Sequence, residues 1–174
     1  IKDASANKGG VTSSSLEVFA ARALSDRELD QHMRVGDHGT PEFRRRYIRE
    51  ILGIIRQNAR AEFGWLWRER ERTGIPLTTL TNRVSEKINN ITDAVFGSEL
   101  VRDPALRSRV LTDYTPPALL ELVGLKRIIA RVPPAYLDSI IATRMATLFV
   151  YDRSLATDEV DFLDFVHDLA GRRV

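Results

Sequence analysis

Apolar residues recur at three- and four-residue intervals along most of this chain, the spacing that lines one face of an α-helix. The longest run, Ile48, Ile51, Leu52, Ile55, Ala59, Phe63 and Leu66, predicts a long helix with one buried stripe. Thr40-Pro41-Glu42 supplies its start, with Thr as N-cap, Pro in the first helical position and an acid in the first turn. Thr73-Gly74-Ile75-Pro76 supplies its stop, a glycine at the C-terminal end with a proline beyond it. Upstream, Leu16, Val18, Phe19, Ala20 and Leu24 mark a shorter helix packed against a larger body, and Ser25-Asp26-Arg27-Glu28 has the spacing of a second helix start. Residues 34–40, rich in Gly and His, read as a linker. Further helices are predicted over about 79–96, 104–111, 116–123, 125–131, 134–151 and 158–169. Gly124 and Pro133-Pro134 divide neighbours close enough to pack as short antiparallel pairs. In the helix from Pro134, a second stripe runs Tyr136, Ile140, Ile141, Met145, Leu148, Phe149. The region after about residue 40 therefore reads as an all-helical bundle.

Composition narrows the classes. With 174 residues, 43% of them hydrophobic, the chain is long enough for one domain or one and a half, with a real core. Its 26 basic and 24 acidic side chains leave a net charge of +2, far from the excess of a dedicated nucleic-acid binder. Nine arginines lie between Arg44 and Arg72, but Glu50, Glu62, Glu69 and Glu71 are interleaved with them, so this surface reads as a solvated or interface face. There is no cysteine, hence no disulfide framework, and no Cys/His zinc pattern; this fits a reducing intracellular setting. No run of about 18 apolar residues suggests a membrane span. His32 and His38 flank a turn with Asp37, and His167 sits near Asp161, Asp164 and Asp168; scattered in this way they read as structural or solvent-exposed rather than as metal ligands. Trp65 and Trp67, two residues apart on a helix, point in different directions, one to the core and the other toward a partner.

The chemistry-bearing stretch is Asp3-Ala4-Ser5-Ala6-Asn7-Lys8-Gly9-Gly10-Val11-Thr12-Ser13-Ser14-Ser15-Leu16-Glu17-Val18. Gly9-Gly10 reads as a tight loop that lets the backbone approach a ligand, and Thr12 to Ser15 as N-cap hydroxyls for the helix that follows. The free N–H groups at such a helix start favour a carboxylate or phosphate. A plain turn and cap accounts for the same residues.

This segment resembles the glycine loop of the glutamate dehydrogenase superfamily, whose shorter members carry Ala-Asn-Ala-Gly-Gly-Val-Thr-Val-Ser. Ala6, Asn7, Gly9, Gly10, Val11, Thr12, Ser14 and Glu17 fit in register, while Lys8, Ser13, Leu16 and Val18 depart toward the form found in the large-subunit, fungal-type NAD-specific enzymes. The similarity continues through Asn58-Ala59-Arg60-Ala61-Glu62-Phe63, Trp67-Arg68-Glu69, Thr73-Gly74-Ile75-Pro76 and Arg131-Val132-Pro133. The resemblance implies that Asn7 lies beside the nicotinamide of NAD and the α-carbon end of the substrate. It implies that Ser14 bonds the distal carboxylate of glutamate, that Val11 forms an apolar wall of the same pocket, and that Gly9 and Gly10 keep the wall thin where cofactor and substrate meet. No role transfers to Lys8, which reads as an exposed lysine.

The family's substrate-binding lysines, proton-shuttling aspartate and G-x-G-x-x-G phosphate loop have no counterpart in this sequence. Ile1-Lys2-Asp3 resembles the tail of a strand, and no Met begins the chain. The expectation is thus a mainly α chain: residues 1–38 as the end of a Rossmann-like α/β nucleotide-binding region, and 39–174 as a helical C-terminal domain. It would be the carboxy-terminal part of an enzyme that deaminates L-glutamate to 2-oxoglutarate with NAD, inactive alone. The implied partners are the upstream catalytic domains and further copies in a tetramer or hexamer, in the cytoplasm rather than the mitochondrion. The competing reading is a non-catalytic helical oligomerisation or interaction module.

Overall fold

The computed structural model describes residues 8–37, 39–153 and 155–171. In chain order the helices are α1 (Lys8–Ala23), α2 (Asp26–His32), α3 (Glu42–Thr73), α4 (Leu77–Phe96), a 3-10 turn (Glu99–Arg102), α5 (Pro104–Tyr114), α6 (Pro117–Val123), α7 (Leu125–Arg131), α8 (Pro134–Asp152) and α9 (Glu159–Gly171). Among the described residues there is no strand; one isolated bridge, Gly36 with Gly39, closes the turn between α2 and α3. The bundle is as the apolar spacing implies. The strand tail expected at Ile1 to Asp3 lies outside the described residues.

Local chemistry sets most boundaries. At α2, Ser25 and Glu28 satisfy each other's backbone N–H groups in a capping box. Asp103 accepts from Leu106 N at 2.8 Å ahead of Pro104 and so starts α5. Gly74, at φ 71°, ends α3 in the left-handed conformation that glycine adopts without strain. α3 itself begins one residue later than the Thr40 cap implied, with Pro41 in the cap position and no side-chain cap.

The core is built around α8. Leu137, Ile141, Ala142, Met145, Ala146 and Val150 are all fully buried, and a helix apolar on several sides must be surrounded. It packs most extensively along α4, and also against α5, α3 and the 3-10 turn. α9 closes one side, where Phe162 and Phe165 stand edge-on to Phe149 at 5.2 and 5.5 Å. α1 lies across α3 and α7. Its carbonyl at Leu16 receives the buried Tyr47 hydroxyl of α3 at 2.7 Å, and Arg131 of α7 reaches Ala23 O at 2.9 Å and Glu28 at 2.6 Å. Leu16 and Phe19 belong to the same hydrophobic cluster as Phe149 and Leu169.

Two expectations change. Gly9 and Gly10 are helical, inside α1, and Thr12 to Ser15 are interior to the helix rather than its caps. The reason is tertiary: the apolar face of Leu16, Phe19, Ala20 and Ala23 is buried on the body of the bundle, and the helix extends N-terminally from that anchor. The stripe on α3 is the second. Ile51 and Leu66 are buried, but Ile48, Leu52 and Phe63 are 43%, 44% and 48% exposed. The buried positions of α3 are Tyr47, Ile51, Trp65 and Leu66, at its two ends.

Candidate functional site

The burial of one face of α1 decides what its other face can do. Residues three and four apart share a helix face, so Gly10, Val11, Ser14 and Val18 lie together on the side away from Leu16 and Phe19. All four are exposed, Val11 at 66%. The Ser14 hydroxyl donates to Gly10 O at 2.8 Å, a back-bond of the kind serine makes inside helices, and Ser13 donates to Glu17 at 3.2 Å. Around Gly10 the position of a Cβ would have nothing within 4 Å, so the helix surface there is open to close approach. Gly9 faces inward instead: a Cβ there would stand 3.3 Å from the Ile55 methyl of α3. The two glycines thus do different jobs, one letting helices approach and the other leaving a bare surface. Of the residues singled out from the sequence, Gly10, Val11 and Ser14 are brought together on one face, Gly9 is turned to α3, and Asn7 lies outside the described residues.

Elsewhere several charged groups pair with one another or with backbone carbonyls. An open cleft of about 540 Å³ lies between the end of α3, α4 and Leu155, with Arg72 and Lys87 on its walls. Arg72 pairs with Glu69 at 2.6 Å, and Lys87 Nζ donates to Leu155 O at 2.8 Å and to Thr157 O at 3.0 Å. Desolvation lowers the Lys87 pKa while these carbonyls hold its ammonium, so it staples the segment before α9 to α4. Arg46 spans Glu50 and Glu121, tying α3 to α6, as helix-spaced acids among the arginines implied.

Against curated proteins, the chain is 44% identical over 168 residues to glutamate dehydrogenase 2 of Dictyostelium discoideum, covering 97% of this chain and 16% of that protein. It is 41% identical over 171 residues to the NAD-specific glutamate dehydrogenase of Neurospora crassa, and 34% over 173 residues to that of Saccharomyces cerevisiae, again over 16% of each. Nearly all of the chain thus matches one part of the large NAD-specific glutamate dehydrogenases. It spans about 16% of the length of the curated relatives it matches. No protein-family model and no solved structure matches it.

His32 stands edge-on to Phe43 at 5.8 Å, His167 is exposed, and His38 lies outside the described residues. Among the described residues no group of three or more His, Cys, Asp or Glu is arranged to hold a metal ion, and no helix is long and apolar enough to cross a membrane. Trp65 is the core tryptophan, edge-on to Tyr151 at 6.2 Å; Trp67 is 40% exposed and stacks on Phe63 at 5.9 Å. What the sequence reading missed is the exposure of mid-α3. Its apolar period signalled a contact face, but period alone carries no record of which body covers it.

Proposed function

We propose that this chain is the carboxy-terminal part of an NAD-dependent glutamate dehydrogenase and supplies one wall of its glutamate and nicotinamide site. The observation that carries this reading is the match along 97% of the chain to such enzymes. The uncovered face of α1 supports it, since Gly10, Val11 and Ser14 together offer a bare backbone, an apolar contact and a hydroxyl. Val11 would line the aliphatic part of glutamate. The Ser14 hydroxyl would turn from Gly10 O to the distal carboxylate, and that carbonyl would keep its ordinary helical partner, so no group is orphaned. The bare surface at Gly10 fits a cofactor that must approach the wall closely. NAD, when bound, accepts the hydride from the α-carbon; hydrolysis of the resulting iminium gives 2-oxoglutarate and ammonium. The lysines and the aspartate for that chemistry would come from the rest of the polypeptide, and residues 1–38 would close its nucleotide-binding region. Alone, the chain would bind one side of the substrate and turn over none.

The test is Ser14→Ala in the complete enzyme. Loss of a hydrogen bond to a charged group, worth about 1.5 to 3 kcal/mol, should raise the KM for glutamate roughly 10- to 100-fold. Norvaline, which lacks the distal carboxylate, should show no such change. An unaltered glutamate KM would return α1 to a purely structural role, as in a helical interaction module.

A further inference from the structure

We infer that the uncovered middle of α3 is the seat of the rest of the parent polypeptide, which packs on it through an apolar surface carrying carboxylates. This rests on the reading above, in which the dehydrogenase body precedes α1.

α3 is fully buried only toward its ends: none of its residues between Ile51 and Trp65 is buried, although Ile54 and Ile55 are partly covered. At the 100° step of an α-helix, Ile48, Leu52, Ile55, Ala59, Phe63 and Trp67 fall within an arc of roughly 120°, one continuous stripe about 30 Å long. Ile48, Leu52, Phe63 and Trp67 on this line are between 40% and 48% exposed. Singly exposed apolar residues are ordinary on a protein surface, but a stripe of them along one helix marks an interaction site.

Charge identifies what would sit there. Arg56 lies toward one edge of the stripe and Arg60 just beyond it, and neither has an ion-pair partner among the described residues. On the same helix Arg45, Arg46 and Arg72 are paired, with Glu42, Glu50 and Glu121, and Glu69, whereas Arg70, which lies over the Trp67 ring at 5.2 Å, has no ion-pair partner among the described residues and extends the unpaired charge along the stripe. The surface that covers the middle therefore supplies carboxylates beside its apolar contact.

Position identifies the occupant. α1 begins against this same stretch, with Gly9 on Ile55, so a body that preceded α1 would join the bundle beside the stripe. The relatives are about six times as long as this chain, which leaves a large body to be accommodated. A body joined at α1 is held at high effective concentration over mid-α3, so even a modest contact stays closed. The competing occupant is the α9 face of a second copy, where Val160 and Leu163 are 64% and 63% exposed beside Asp164; it has the same complementary chemistry but no tether.

The experiment uses the complete parent protein with Ala59→Cys, on the stripe, or Gln57→Cys, on the opposite side of α3, each labelled with a thiol reagent and read by peptide mass spectrometry. The Ala59→Cys thiol should react at least about tenfold more slowly than the Gln57→Cys thiol, because it reacts only when the contact opens. In a second variant, Phe63 replaced by photoreactive benzoylphenylalanine should crosslink to peptides outside residues 1–174. Equal labelling of the two thiols, or crosslinks to the α9 peptide of another copy, would overturn the proposal. Glutamate-dependent NAD reduction is measured alongside. Protection without dehydrogenase activity sinks the enzymatic reading and upholds the docking surface, and activity with a freely labelled Ala59→Cys thiol does the reverse.

Discussion

Gly10→Ala separates the helical role of α1 from its proposed role in catalysis. Gly10 is the third residue of α1, and nothing lies within 4 Å of the position its new methyl would occupy. Alanine is favoured over glycine in a helix by about 1 kcal/mol, and the first turn realises part of this, so the chain should gain about 0.5 to 1 kcal/mol. For a chain of this size that is a rise in Tm of roughly 1 to 4 °C. Gly9→Ala is the internal control. Its methyl would press on Ile55 at 3.3 Å, tighter than ordinary van der Waals contact, so the propensity gain is offset and the variant should fall below Gly10→Ala. Circular dichroism melts and urea titrations of the two variants give both numbers. In the complete enzyme Gly10→Ala should slow glutamate oxidation while leaving the fold more stable, because the methyl occupies the bare surface proposed for the ligand. A fall in Tm for Gly10→Ala would refute the reasoning at its root: it would mean a backbone with φ > 0 at Gly10, the tight loop first read from the Gly-Gly pair, rather than a helix.

Two further substitutions test what fastens the bundle. The Glu28 carboxylate accepts from the Ser25 backbone N–H and hydroxyl and from Arg131, in that order of influence, and these hold its pKa down to about 2 from an ordinary 4.5. A carboxylate lowered on folding stabilises the protein in full above its unfolded pKa, and the contribution is lost as pH falls toward the folded one. Glu28→Gln should therefore cost about 1 kcal/mol at pH 7, and its urea midpoint should converge with that of the unsubstituted chain as the pH is lowered from about 5 to 2; a gap that is independent of pH would show that the charge is not what matters. Met145→Ala removes a fully buried side chain at the centre of α8 and should cost about 2 to 5 kcal/mol in urea denaturation with an unchanged m-value. A loss below about 1 kcal/mol would place the centre of the core elsewhere.

The features legible in the sequence were those that residues decide among near neighbours. The Ser25 and Glu28 pair forms its capping box three residues apart, and Gly74 ends α3 through its own left-handed backbone. The Gly9-Gly10 pair is different, because the same dipeptide serves a loop or a helix. The choice is made by contacts far along the chain, the Tyr47 hydroxyl on Leu16 O and the Ile55 methyl beneath Gly9. The tryptophans show the same division. Their two-residue spacing required them to diverge, but only the placement of Tyr151 on α8 makes Trp65 the core member.

The stripe on α3 takes this reasoning one step further. A hydrophobic period reports that a face must leave water and is silent on whether the covering body belongs to the same fold, the same polypeptide or another copy. In α8 the period is answered within the bundle, and every apolar position from Leu137 to Val150 is buried or partly buried. In α3 it is answered in full only toward the ends, and the half-exposed stretch coincides with the start of α1 and with Arg56 and Arg60, which have no ion-pair partner among the described residues. Leu52 and Phe63 each leave close to half of their surface in water, which a covering body would remove. Their presence between two well-packed ends is the pattern of a helix whose middle belongs to a larger assembly, and it joins the bundle to the same part of the enzyme that the Val11 and Ser14 face of α1 is proposed to serve.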